Sequence, residues 1–354
     1  MSPLVSLLLL CCASAIAAAL SWQRHSLPLS GELVLTDVHS VLSGSSVQTY
    51  ATGEAGVLLK QVNPISAAAN ATPWTISLDT SFPFYWYGVY TWPDAPNETL
   101  ISGFYDGDSK AYGIIQFTED GGATWSNDTV IDAHAWGGGP IEFAGNDGIM
   151  PSTSGSAMWR TSTGGKRASD WTEVVPDSQN WHAGDFVFDG DGYVAIAGSS
   201  FCNSTDFGGS WECSSSEDAS GMDGGIACSG AAPGEGLCLT GGGEIEPAVL
   251  GWVHVSHDGG NTWGPRSLNS AFPIRSVLAV NASSGLTLFA AGGNFFSGVG
   301  GVYASFDAGK TWDLSLDLGE EVKACRPVKV MDALTRVFCV SAGSNQGSVV
   351  SVDF

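Results

Sequence analysis

One eight-residue frame recurs four times and constrains this chain more than any other feature. Its clearest copy is Ser256-His257-Asp258-Gly259-Gly260-Asn261-Thr262-Trp263. The frame returns at Ser305–Trp312 around Asp307, at Thr118–Trp125 around Asp120, and at Ser204–Trp211 around Asp206. The shared pattern is Ser/Thr-x-Asp-x-Gly-x-Thr/Ser-Trp. Apolar runs flank each copy, for example Gly251 to Val255 before the Asp258 copy. The pattern predicts a tight turn between two strands. The Asp carboxylate accepts from backbone N–H groups two residues on, the Gly adopts positive φ, and the hydroxyl bonds back across the turn. Trp125, Trp211, Trp263 and Trp312 then open the outgoing strand as large apolar anchors with one donor each. An Asp engaged by backbone donors is a poor general acid or base, because its pKa is pushed down. The reading is therefore structural: each copy is a clasp.

The clasp tryptophans also mark a period. Weaker anchors at Trp22, Trp74 and Trp171 fill the intervals, and successive anchors lie 40 to 52 residues apart. A period of about fifty residues with four short strands each is a propeller pattern. After Trp312 only three strand-like runs remain before Phe354. The mature chain begins near Trp22, where a fourth strand would stand. Residues 22–29 are thus expected to complete the last blade, closing a seven-bladed ring. Six blades fit if residues 22–60 form a separate extension. The expected fold class is all-β, a single propeller over 21–354, and no composition break argues for a second domain.

The four frames resemble the Asp-box, or BNR repeat, of sialidases and many other β-propellers. In that family the box lies between the third and fourth strands of a blade, on the side away from the active site. The resemblance implies architecture over nearly the whole mature chain. Sialidases of this kind also carry an Arg-Ile-Pro motif and hold the substrate carboxylate with three arginines. Here Arg-Ile-Pro is absent; the nearest string, Phe272-Pro273-Ile274-Arg275, runs in another order. Of seven arginines, Arg160, Arg167 and Arg266 stand at or beside clasps. Classical sialidase activity is not expected.

Residues 4–20 are apolar and end in Ala17-Ala18-Ala19, as a cleaved secretory signal over 1–20 would. An uncleaved signal anchor is the alternative, and would be the chain's membrane attachment. Six cysteines remain beyond this segment, an even number that implies disulfides in a secreted chain. Spacing alone leaves about 15 connectivities open. The repeat frame favours local pairs, Cys202–Cys213, Cys228–Cys238 and Cys325–Cys339, and no CxxC spacing supports a zinc site. Sequons at Asn70, Asn97, Asn127, Asn203 and Asn281 agree with the secretory route. The net charge of −23 disfavours nucleic acid and anionic membranes as partners.

If the clasps face away from the ligand, chemistry belongs at the opposite rim. The connections feeding it carry Tyr85 and Trp86, His134 and Trp136, Trp181, His182 and Asp185, Arg275, and the run Glu320 to Lys323. The second-to-third-strand turns add Asp106 to Asp108, Glu244 to Glu246 and Asn294 to Phe296. His134, His182, Asp185 and Glu244 are candidate acid–base groups. Tyr85, Trp86, Trp136, Trp181 and Arg275 are candidate ligand contacts. The histidines and tryptophans could equally pack between blades. Asp106 and Asp108 could bind Ca²⁺ or form a plain acidic turn; no other cofactor is indicated. Two functions follow: a secreted glycan-directed enzyme, a glycoside hydrolase or lyase, or a non-catalytic secreted propeller that binds a glycan or an extracellular protein.

Overall fold

The computed structural model describes residues 20–28, 33–66, 72–79, 84–107, 110–126, 130–132, 139–152, 158–174, 186–188, 194–197, 201–214, 225–229, 236–244, 249–282, 285–294, 296–331, 334–343 and 347–354. These residues are all-β: antiparallel strands, with only two single turns of 3-10 helix, at 54–56 and 168–170. Five sheets hold four consecutive strands each, within residues 84–132, 142–174, 186–214, 226–270 and 274–317. In each, neighbouring strands in sequence are neighbours in space.

The remaining strands form one eight-stranded sheet. Leu33–Ser43, Ser46–Gly53, Val57–Pro64 and Thr75–Asp79 make one part, and Glu321–Met331, Leu334–Gly343 and Val349–Asp353 the other. They join where Leu33 pairs with Gly343 and Val34 with Ala342. The N-terminal strand Gln23–His25 lies antiparallel to the C-terminal strand, with Arg24 opposite Val350. Trp22 fixes this closure by donating from its indole to Ser315 of the adjacent sheet.

The apolar core lies between sheets. Tyr90, Trp92, Leu100 and Ile115 pack on Ile141, Phe143, Met150 and Trp159 of the next sheet. Leu239, Val253 and Val255 likewise pack on Ile274, Val277 and Leu288. Sheet-on-sheet burial of this kind, repeated around the chain, is what a period-two strand pattern supplies when both faces are covered.

Each cysteine pair sits at directly opposed positions of adjacent strands. Cys202 faces Cys213, Cys228 faces Cys238, and Cys325 faces Cys339, and all three pairs are bonded. Three bridges of this kind fit an oxidising extracellular setting. No helix among the described residues is long and apolar enough to cross a membrane.

Candidate functional site

The clasp turns repeat one hydrogen-bond set. In the Asp258 copy the Ser256 hydroxyl donates to Oδ1 at 2.7 Å and accepts from the Gly260 N–H at 2.8 Å. The Thr262 N–H donates to Oδ1 at 2.8 Å and its hydroxyl to Oδ2 at 2.6 Å. The copies at Asp120, Asp206 and Asp307 make the same four bonds. These bonds hold the carboxylates below their ordinary range. The Thr124 hydroxyl first, then its N–H, takes Asp120 to about 2, and the Ser210 N–H leads in taking Asp206 to about 2. Such groups stay ionised and do no proton transfer near neutrality.

Two consecutive residues of each clasp have positive φ. The Gly is one (Gly122, Gly208, Gly260, Gly309); the residue before it is the other, even where it is Phe207 or Ala308. The Gly also seats the turn on the preceding sheet. A Cβ at Gly260 would lie 2.5 Å from the Phe201 ring, and one at Gly309 would lie 2.7 Å from Val255. The anchors follow: Trp263 packs edge-on to Phe201, and the Trp312 indole donates to Ser267. The indoles of Trp125 and Trp263 find no partner among the described residues, so not every anchor uses its donor.

In an antiparallel meander, the third-to-fourth and first-to-second connections share one end of the sheet. The clasps occupy that end. At the other end Val34, Glu54, Arg275, Phe296, Glu321, Lys323 and Ala342 line a cleft of about 300 Å³. All but Ala342, at the end of Leu334–Gly343, lie at the start of an inner strand or in a second-to-third connection. Glu321 is 3% exposed and takes two cations: Arg275 Nε at 3.0 Å and Lys323 Nζ at 2.8 Å. Beside them Phe296 is 86% exposed. Its turn is fixed by Asn294, whose side-chain oxygen accepts from the Phe296 N–H at 2.9 Å and the Ser297 N–H at 3.3 Å. Arg24 pairs with Glu320, whose other oxygen accepts from Ser341 and Ser348.

Glu54 extends the cleft to an aromatic stack. It accepts from the Tyr87 hydroxyl at 3.5 Å. Tyr85 and Tyr87 lie nearly parallel to Phe104, with centroids 4.7 and 5.6 Å from it. Burial, then the Glu54 charge, pushes both phenols above their ordinary range. Trp86 points the other way. It is wholly buried against Leu58, Val89, Ile101 and Ile114, which corrects the expectation that it contacts a ligand. Strand alternation puts Tyr85 and Tyr87 on one side and Trp86 on the other.

A third cluster was not evident from sequence. The Arg326 guanidinium lies 3.5 Å from Asp37 and 3.3 Å from Glu142, linking Glu321–Met331 and Leu33–Ser43 of the eight-stranded sheet to the first strand of the 142–174 sheet. Asp37 also accepts from the Val38 and Val89 N–H groups. His39, two residues on, accepts from the Thr91 N–H, and burial together with the Arg326 charge keeps its ring from protonating. No spacing or motif connects these residues in the chain. Arg275, Arg24 and Arg336 are also held by carboxylates.

Of the predicted acid–base groups, Glu244 is exposed at the end of Leu237–Glu244 and is not among the cleft residues. His134, Trp136, Trp181, His182 and Asp185 lie outside the described residues, as do Asp108, Asn70 and Asn127. Asn97 and Asn281 are exposed, and Asn203 is half-buried. Among the described residues no group of three His, Cys, Asp or Glu is placed to hold a metal.

No family model and no curated protein matches this sequence. Among solved structures the chain is similar to YCF48 bound to D1 peptide, at 15% identity and TM-score 0.59, covering 94% of this chain and 96% of that one. It is similar to YCF48 from Cyanidioschyzon merolae at the same identity and TM-score, covering 94% and 98%. A GH74 xyloglucanase from Xanthomonas campestris aligns over 91% of this chain and 43% of that one, at 16% identity and TM-score 0.48. The fold is that of a β-propeller. At these identities the likeness extends to the fold alone, and the xyloglucanase alignment is too weak to carry any argument.

Proposed function

We propose that this protein is a secreted, seven-bladed β-propeller that captures an extracellular polypeptide at the rim opposite the clasps, without turnover. Seven follows if the eight-stranded sheet is read as two four-stranded blades, the last completed by Gln23–His25. The clasps are then Asp-boxes, residues 1–20 a removed signal, and the exposed Asn97 and Asn281 acceptors of N-glycans. The observation that carries the reading is Phe296. A large ring 86% exposed stands on a turn whose backbone is already held by hydrogen bonds, beside cations that can meet a partner's carboxylates. One of the similar propellers is itself bound to a peptide.

A glycan-directed activity is the second reading. It is favoured by the stack of Tyr85, Phe104 and Tyr87 beside Glu54, because sugar rings stack on aromatic faces next to carboxylates. One experiment separates the two: the purified secreted protein is run against peptide and glycan arrays and a glycosidase panel. Peptide capture that Phe296→Ala abolishes at unchanged melting temperature supports the first reading. Glycan turnover by the wild type refutes it.

A further inference from the structure

A second and larger cleft opens at the clasp end, between the 84–132 and 142–174 sheets. Its volume is about 790 Å³. Tyr90, Trp92 and Phe143 form the floor, their rings packed on one another at centroid distances of 5.3, 5.0 and 4.9 Å. Asp94, Glu98 and Lys166 stand around them. None of these residues belongs to the rim that carries the proposed function, and none repeats in the clasp frames.

The cleft already holds one cation. Lys166 Nζ is 2.5 Å from the Glu98 carboxylate, 5.8 Å from the Trp92 ring centroid and 5.0 Å from that of Phe117. An ammonium between a carboxylate and aromatic faces is a favourable arrangement, because the ring quadrupole and the full charge act together. Both partners are accessible, with Lys166 39% and Glu98 27% exposed, so an incoming cation can compete. Asp94 supplies a second negative charge beside the floor, and its field acts on the Tyr90 phenol. The floor rings are at most 8% exposed, too little for a sugar ring to stack on. A protein with 36 acidic and 13 basic residues also steers basic partners toward itself.

We infer that this cleft is a second binding site, for an arginine- or lysine-bearing segment of a basic protein, whose cationic side chain displaces Lys166 from Glu98. The site lies at the opposite end of the sheets from the rim, so both can be filled at once.

The test is calorimetric titration of the full secreted chain with a short arginine-rich peptide at low salt. Glu98→Gln is expected to weaken binding about tenfold and Asp94→Asn about threefold, as loss of one charge-assisted contact does. Lys166→Gln is expected to tighten it about fivefold, because the competitor is gone. Asp313→Asn, an exposed acid on the 274–317 sheet, is the control for net charge and should change affinity less than twofold. The inference is overturned if the peptide does not bind, if Glu98→Gln and Asp94→Asn weaken it no more than the control, or if Lys166→Gln fails to tighten it. A neutral oligosaccharide that competes with the peptide for the cleft overturns it as well.

Discussion

The two ends of the sheets are built on different principles. At the clasp turns one hydrogen-bond set is repeated four times, around Asp120, Asp206, Asp258 and Asp307, with the same donors at nearly the same distances. At the opposite rim the described connections differ from one another in their side chains. One presents an exposed Phe296, another a doubly paired Glu321, and a third the Glu54–Tyr87 contact. Repetition marks a constraint every sheet must meet, which is to turn tightly and dock on its neighbour. Singularity marks what the fold does not require. Function is therefore sought where the pattern fails to repeat.

The largest expected effect breaks the docking part of a clasp. Gly260→Val adds a Cβ 2.5 Å from the Phe201 ring at a φ of +92°. It should cost about 3 kcal/mol or more in denaturant unfolding, while the folded fraction keeps its rim ligand. A loss of rim affinity at unchanged stability would reverse the assignment of the two ends.

Acid should break the ring closure before it breaks the clasps. His25 sits in the N-terminal strand, hydrogen-bonded to Ser351. Burial first, and the Arg336 charge second, lower its pKa from 6.5 to about 4. The unfolded chain therefore takes up this proton first. The stabilisation is full above pH 6.5 and is lost as pH falls towards 4, by up to about 3 kcal/mol. The clasp carboxylates are likewise depressed from 3.8, to about 2 at Asp120, so their contribution is lost as pH falls from 3.8 towards 2. Melting temperature against pH should show two falls; the upper one is shared with buried His39, so His25→Gln should shrink it and leave the lower one unchanged.

A smaller effect sharpens the rim. Arg275→Ala frees one side of Glu321, which still keeps Lys323. It should weaken capture of the rim ligand by about tenfold and move the melting temperature little, since the arginine is part-exposed. The smallest effect returns to the clasp. Ala308 holds a φ of +60° where other copies have Gly121 or Gly259. Ala308→Gly should stabilise by about 1 kcal/mol, the strain of a left-handed residue, read by denaturant midpoint.

Much of this was legible in the sequence because it is local. The clasp bonds span four residues, and the side-chain types at that spacing leave little choice of partner. The disulfides join residues 10 to 14 apart that a hairpin places opposite each other. The rim connections, Arg275, Glu321, Lys323 and Phe296 among them, follow once the clasps define one end. What stayed hidden depends on which sheet faces which. Period two places Trp86 and Tyr85 on opposite sides of a strand, but only the neighbouring strands show which side is core. The contacts of Arg326 with Asp37 and Glu142 join residues far apart in the chain, and no motif encodes such a meeting. The Gly260 seat on Phe201 and the cleft around Trp92 are of the same kind. Turn chemistry is fixed by bonding within a few residues, and the sequence alone determined it. Packing between sheets is fixed by shape at long range, and the tertiary structure alone decided it.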